Sequence, residues 1–366
     1  MLSQEGMLSC RWLAADAAAI LSGAKPTNPK THQQAGSRDS SRFRAVIVYR
    51  AAALLLAGVL LYFSIRGIQW SEVWHVLALA DLRYVVLALG LSTVALFLRA
   101  IRWRILLRSR GPVDISTTFW ATAAGYFGNN FLPARAGELV RTMMVSGSAG
   151  LSKTFVLTTA LSERLSDAIV LVIISSVVLL TLRVRPGWFA HAAEPFAVIG
   201  LAGAMAIAVL PKLEALWINL LGRVPIPEAL RARSVEMLEH VLSGIRAFHD
   251  RGRLIRFLLA TLVIWFLDAT GVLVGVHALG MSVSFSIAFL LITGLALGSA
   301  LPSTPGYVGI YQFVAVSVLT PFGFSRTNAI AYILLAQGLQ YALTTFWGLL
   351  ALGRSRRLNF RAVKAA

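Results

Sequence analysis

Residues 328–352 run without a single charged side chain, and residues 257–280 carry one carboxylate, Asp268. A helix needs about 20 apolar residues to cross the hydrocarbon of a bilayer, and both runs are long enough. Further apolar runs lie at 45–65, 82–99, 154–182 and 195–211. No water-facing fold can hide them all. Only 14% of the 366 residues are charged, against about a quarter in a soluble domain. That excludes a soluble globular enzyme and a disordered chain. Cys10 is the only cysteine, which rules out an internal disulfide scaffold and a cysteine-based zinc cluster. The sequence therefore predicts an all-α polytopic membrane protein.

The positive charge suggests an orientation. Lys and Arg outnumber Asp and Glu by 34 to 16. A basic chain can bind nucleic acid, but here the cations cluster between apolar runs, at 99–110, 212–256 and 353–366. The positive-inside rule and anionic headgroups account for that pattern, so no nucleic-acid partner is expected. With all three clusters in the cytoplasm, six runs become full spans: 45–65, 82–99, 154–182, 195–211, 257–280 and 328–352. Segments 115–149 and 284–320 must then each enter and leave on one side, from opposite faces. The expected division is a disordered tail over 1–43, a transmembrane domain over 44–353 and a basic cytoplasmic tail over 354–366. Leu238, Val241, Leu242, Ile245 and Phe248 recur at helical spacing, so 212–256 holds an amphipathic helix at the cytoplasmic surface or packed under the bundle. The expected location is the inner (plasma) membrane, with both termini cytoplasmic.

Proline interrupts both one-sided segments. Gly125, Leu132, Pro133 and Gly137 match Gly294, Leu301, Pro302 and Gly306 at one offset (294 − 125 and 306 − 137 are both 169). Two re-entrant broken-helix hairpins of opposite direction mark an inverted repeat, common in transporters with a midplane site. Two unrelated proline breaks are the plain alternative. A break at membrane depth must face protein or a wet cavity, because lipid satisfies no backbone group. Ser303 or Thr304 can cap a helix starting at Pro305, and another helix can start near Pro133 or Ala134. Two helix N-termini converging in the membrane would make an anion site. Arg135 and Arg141 would add charge, Glu138 would orient Arg141 from three residues away, and Asn129 and Asn130 would hydrogen-bond a polar headgroup. Each also has a plainer reading: interface arginines, a first-turn acid, and amides that cap the helix break.

Charges inside the runs require partners or a function. Asp268 costs at least about 2.5 kcal/mol at a helix centre on insertion scales. It is either a protonation site for coupling or the partner of an arginine, and the same offset sets it against Arg99 (268 − 99 = 169). Glu163, Arg164 and Asp167 lie early in the 154–182 run. Arg164 and Asp167 can pair along one helix face, or the group can bind a headgroup. Gly271-x-x-x-Gly275 and Gly294-x-x-x-Gly298 allow close helix approach. Serine-hydrolase, metalloprotease and phosphate-loop motifs are absent from the sequence, so no catalytic residue, metal or cofactor is assigned.

Four stretches carry a family likeness: Asn130-Phe131-Leu132-Pro133-Ala134-Arg135-Ala136-Gly137-Glu138, then Arg141, then Glu163-Arg164-x-x-Asp167, then Pro302-Ser303-Thr304-Pro305-Gly306-Tyr307-Val308-Gly309. Together they resemble the flippase-like integral membrane family related to the transmembrane domain of lysylphosphatidylglycerol synthases, over about 45–352. The resemblance implies movement of a polar-headed lipid between leaflets: an aminoacylated phospholipid in the synthase relatives, polyprenyl-phosphate-linked sugars in others. The synthases continue into a soluble aminoacyl-transfer domain. This chain stops fourteen residues after its last span (366 − 352), so lysylphosphatidylglycerol synthesis is not expected. Many relatives carry an acid where Gln312 stands, which puts ion coupling at that point in doubt. Two functions compete. One is translocation of an anionic or phosphate-linked lipid, with a membrane phospholipid or a polyprenyl-phosphate-linked lipid as partner. The other is a non-transporting membrane protein that recruits a lipid-linked glycosyltransferase through 212–256. Either is compatible with a homo-oligomer.

Overall fold

The computed structural model describes residues 54–132, 136–181, 248–299 and 305–365, scattered positions between 198 and 246, and side chains as far as Arg354. Among the described residues all regular structure is helical. In chain order the helices are α1 (Leu54–Ile65), α2 (Trp70–Ala78), α3 (Leu82–Leu107), α4 (Ile115–Phe131) and α5 (Gly137–Ala149). They continue as α6 (Lys153–Thr181), α7 (Arg251–Ala278), α8 (Phe285–Gly298), α9 (Ile310–Leu319) and α10 (Arg326–Ala365). Short polar side chains start several of them. The Asp81 carboxylate accepts the Arg83 N–H at 2.9 Å and the Asp250 carboxylate accepts the Arg253 N–H at 2.7 Å. Each satisfies a donor that the first helical turn leaves free.

Among the described residues three helices are long and apolar enough to cross a membrane: α3, α7 and the 326–354 part of α10. The charge pattern asks for six, and the difference has identifiable sources. The run at 45–65 is described only from Leu54, and its helix bends by 83° into α2 instead of ending in a loop. Helix α6 is 29 residues long but places Glu163, Arg164 and Asp167 within it, and is not among the three. Most of the run at 195–211 and the whole tail over 1–43 lie outside the described residues, as does most of the amphipathic segment. Two boundaries also move. Helix α7 begins at Arg251, so 251–256 belongs to a crossing helix and not to the polar segment. Helix α10 runs on to Ala365, so the basic tail continues the last span as helix.

Helices α3 and α7 pack antiparallel. The Asp81 N–H donates to the Ala278 carbonyl at 2.8 Å, and further along Arg102 donates to Thr261 at 3.1 Å. The two broken hairpins close through glycine. A Cβ on Gly128 of α4 would stand 2.8 Å from the Gly137 Cα of α5, and one on Gly294 of α8 would stand 2.8 Å from Val314 Cγ1 of α9. No larger residue allows that approach. The main apolar core gathers Leu171, Ala269, Leu291, Ala315 and Ile330 from α6 to α10. A smaller one joins Trp103, Ala121, Val145 and Phe155 from α3 to α6.

Candidate functional site

Arg102 projects from α3 between α6 and α7, with 1% of its side chain exposed. All five of its N–H donors are used. Nε and Nη2 donate to Glu163 Oε1 at 3.2 and 2.8 Å, Nη1 and Nη2 to the two Asp167 oxygens at 2.5 and 2.9 Å, and Nη1 also to Thr261. Glu163 hands the network on through Oε2, which accepts from Arg141 at 3.1 Å. Arg141 contacts Glu138 at 2.5 Å, and Glu138 contacts Arg164 at 3.1 Å. Separately, Arg99 of α3 pairs with Asp268 of α7. Each arginine also lies over an aromatic ring: Arg99 over Trp265, Arg102 over Phe257, Arg141 over Trp103 and Arg164 over Tyr126. Such faces stabilise a desolvated cation. Four arginines thus meet four carboxylates, and the eight charges cancel.

The second break is held without charge. Gly306 and Tyr307 both take positive φ, 71° and 62°, inside the short 3-10 turn Pro305–Tyr307. The Gly306 carbonyl accepts from Gln337 at 3.1 Å and from the Tyr341 hydroxyl at 2.7 Å. Gln312 accepts the Gly309 N–H at 2.7 Å and donates to Gln337 at 2.6 Å. The regular helix starts at Ile310, five residues later than the expected start at Pro305, because three residues of positive φ, Gly306, Tyr307 and Gly309, intervene. Gln312 is therefore a neutral clasp across the break.

Both breaks line one cavity of 590 Å³. Asn129, Asn130 and Glu138 come from the first, Gly306 and Tyr307 from the second, and Arg99, Arg164, Asp167 and Asp268 from the spans beside them. Asp268 lies ten residues before the end of α7 (278 − 268), about 15 Å at 1.5 Å per residue, which is half of a hydrocarbon core about 30 Å thick. Asn130 donates to Thr344 at 2.7 Å, and Asn129 approaches Glu138 at 3.5 Å, so these amides tie helices together. Asn129 Oδ1 and the Trp265 indole N–H, both at the cavity wall, have no partner among the described residues. The indole N–H suits water or a ligand oxygen, and the amide oxygen suits water or a ligand hydroxyl.

Several expectations need correction. Arg141 does not reach the cavity; its fork is held by Glu138, Glu163 and the Ala160 carbonyl. Arg164 and Asp167 do not pair with each other; Arg164 turns to Glu138 and Asp167 to Arg102. Of the described charges facing the cavity, two are cations and three are carboxylates, so no surplus of positive charge marks it as a plain anion trap. Pro133, Arg135, Pro302, Ser303 and Thr304 lie outside the described residues, while Gly137 sits at the α4–α5 crossing. Arg102, Tyr126, Trp265, Gln337 and Tyr341 join the site unanticipated.

Long apolar helices around a polar, charge-balanced cavity define an integral membrane protein. The chain belongs to the family described as the lysylphosphatidylglycerol synthase TM region, whose model matches residues 50–348. It is similar to the glycosyltransferase AglD of Haloferax volcanii, 25% identical over 334 residues, a match covering 81% of this chain and 53% of AglD. It is also similar to a UPF0104 membrane protein of Pyrococcus horikoshii, 21% identical over 335 residues, covering 83% of this chain and 97% of that one. The chain thus spans about half the length of AglD and nearly all of the Pyrococcus protein. No solved structure matches.

Proposed function

We propose that the protein moves a polar-headed, phosphate-linked lipid between leaflets, without a catalytic step of its own. The observation that carries this reading is the 590 Å³ cavity lined from both helix breaks and reaching a midplane ion pair. Arg102 and Arg141, at 1% and 2% exposure, are framework. Arg99 and Arg164, at 16% and 31%, remain reachable. A headgroup phosphate competes with Asp268 and Glu138 for these two guanidiniums, a further oxygen accepts from the Trp265 indole N–H, and a headgroup hydroxyl can donate to Asn129 Oδ1. Exchange of partners suits transport better than a surplus of cations would, because a translocator must release what it binds.

An inverted repeat is part of the proposal. Helices α3 and α7 start at the same offset as the two breaks (251 − 82 = 169). They lie antiparallel against each other, with the equivalent residues Arg99 and Asp268 in contact. A pseudo-two-fold axis in the membrane plane requires this arrangement. The six-span topology, the plasma-membrane location and the cytoplasmic termini belong to the same reading.

The test is leaflet exchange of labelled phosphatidylglycerol in vesicles holding the purified chain. Exchange no faster than in empty vesicles would count against translocation. Arg164→Gln is expected to slow exchange by tenfold or more, since a charge-assisted hydrogen bond is worth about 1.5–3 kcal/mol. Glu138→Ala is expected to abolish exchange while insertion stays normal, because it frees Arg164 to hold the phosphate too tightly and loosens Arg141. A second reading rests on the similarity to AglD, a named glycosyltransferase: this chain recruits or supports such an enzyme. Deleting 226–250 separates the two readings, since a recruiter loses complex formation and a translocator keeps transport.

A further inference from the structure

A second cavity, of 150 Å³, opens between α3, α7 and α10, the three helices that qualify as spans. It shares Ser92, Asp268, Ala336 and Gln340 with the main cavity. Asp268, the carboxylate of the ion pair with Arg99, therefore borders both spaces. Away from these shared residues the walls turn apolar: Ala88 and Leu91 of α3, Gly271 and Gly275 of α7, Leu335 and Leu339 of α10.

Gly271 shows what keeps this cleft open. In a Gly-x-x-x-Gly pair, small residues normally let two helices touch. Gly275 follows that rule, since an added Cβ would come within 3.3 Å of the Tyr332 ring. A Cβ on Gly271 would meet nothing within 4 Å. Its missing side chain creates space that no neighbouring helix fills.

We propose that this cleft is a slot for one hydrocarbon chain of the lipid whose headgroup occupies the main cavity. The proposal rests on the translocation reading and adds where the tail lies. The cleft lies between crossing helices, where the surrounding medium is hydrocarbon. It borders the headgroup cavity at Ser92, Asp268 and Gln340, so polar and apolar space follow each other in the order of a lipid. At 150 Å³ against 590 Å³, it suits a stretch of one chain and not a second headgroup. Arg99 and Asp268 then mark the boundary between headgroup and tail, and the tail stays in an apolar channel while the headgroup crosses the midplane.

The experiment reads occupancy and not transport. The purified full-length protein is placed in vesicles of phosphatidylcholine and phosphatidylglycerol. One arm adds a trace of phosphatidylglycerol with a diazirine midway along one acyl chain; a second uses a polyprenyl phosphate with a diazirine in the chain. After photolysis, adducts are mapped by mass spectrometry. The slot predicts adducts at 267–275 of α7 and 335–340 of α10 from at least one probe. Gly271→Trp should reduce them by about tenfold, the effect of excluding two buried methylenes. Val263→Trp, on an exposed part of α7, should leave them unchanged. If Gly271→Trp does not survive purification, Gly271→Val supplies the same comparison with a smaller loss. Adducts that ignore substitution at Gly271, or that fall only on other exposed residues of these helices, overturn the slot. Slot labelling in a protein that exchanges no lipid would refute translocation and leave the binding site standing. Full exchange together with unaltered labelling in Gly271→Trp would do the reverse.

Discussion

Arg102→Met is expected to lower the apparent Tm of the detergent-solubilised protein by about 6–10 °C, the largest loss for any single charge in the molecule. All five Arg102 N–H groups are bonded within the protein, four of them to carboxylate oxygens. Methionine fills much of the same volume but leaves Asp167 without its ion-pair partner and Glu163 with Arg141 alone. Breaking a buried pair by removing one member costs about 3–5 kcal/mol, chiefly because the remaining charge is uncompensated. At about 2 °C per kcal/mol for a chain of this size, that gives the stated range.

The double variant separates charge from packing. Arg102→Met with Asp167→Asn removes one charge of each sign and leaves Glu163 with Arg141. It should recover at least half of the loss, although it lacks the same hydrogen bonds. Thermal melts followed by size-exclusion chromatography would settle the matter. A single variant within 2 °C of wild type (under about 1 kcal/mol), or a double variant worse than the single, would show that charge balance does not hold α3, α6 and α7 together.

Much of this architecture could be read from the sequence, because hydrophobic run length and proline breaks are local signals. Helix α4 begins and α5 ends at the bounds of the 115–149 segment, α8 begins one residue inside 284–320, and the offset that set Arg99 against Asp268 names a pair in direct contact. The site was less legible, for physical reasons. Arg102 sits in a basic cluster whose ordinary explanation is the positive-inside rule, and nothing local distinguishes an arginine that turns inward. Arg164 and Asp167 occupy positions that can pair on one helix, but better-desolvated partners on α3 and α5 outcompete that contact. The late start of α9 depends on positive φ at Tyr307, a conformation rarely taken by a large side chain. The cavity is assembled from residues more than 200 positions apart in sequence, such as Asn130 and Thr344, and no periodicity encodes such a contact.

Gly137→Ala should have the largest effect on function relative to the size of the change, one methyl group. The added Cβ would overlap the Gly125 carbonyl oxygen and come within 2.6 Å of both the backbone nitrogen and Oδ1 of Asn129. Two of those three atoms are backbone and cannot rotate aside, so α4 and α5 must move apart. Overpacking of this kind costs about 1–3 kcal/mol, but the consequence for the cavity is larger than for stability. Glu138 is the next residue, and its contacts with Arg164 and Asn129 set the geometry of the first break. Lipid exchange in vesicles should fall by at least about tenfold, the effect of a 1.4 kcal/mol shift away from the competent arrangement. Gly147→Ala on the same helix is the control. Its Cβ would meet nothing within 4 Å, and alanine favours helix over glycine by about 1 kcal/mol. Gly147→Ala should therefore keep full exchange with an equal or higher Tm. If the two variants behave alike, the α4–α5 crossing does not set the cavity, and Glu138 and Asn129 are held in place by something other than the glycine contact.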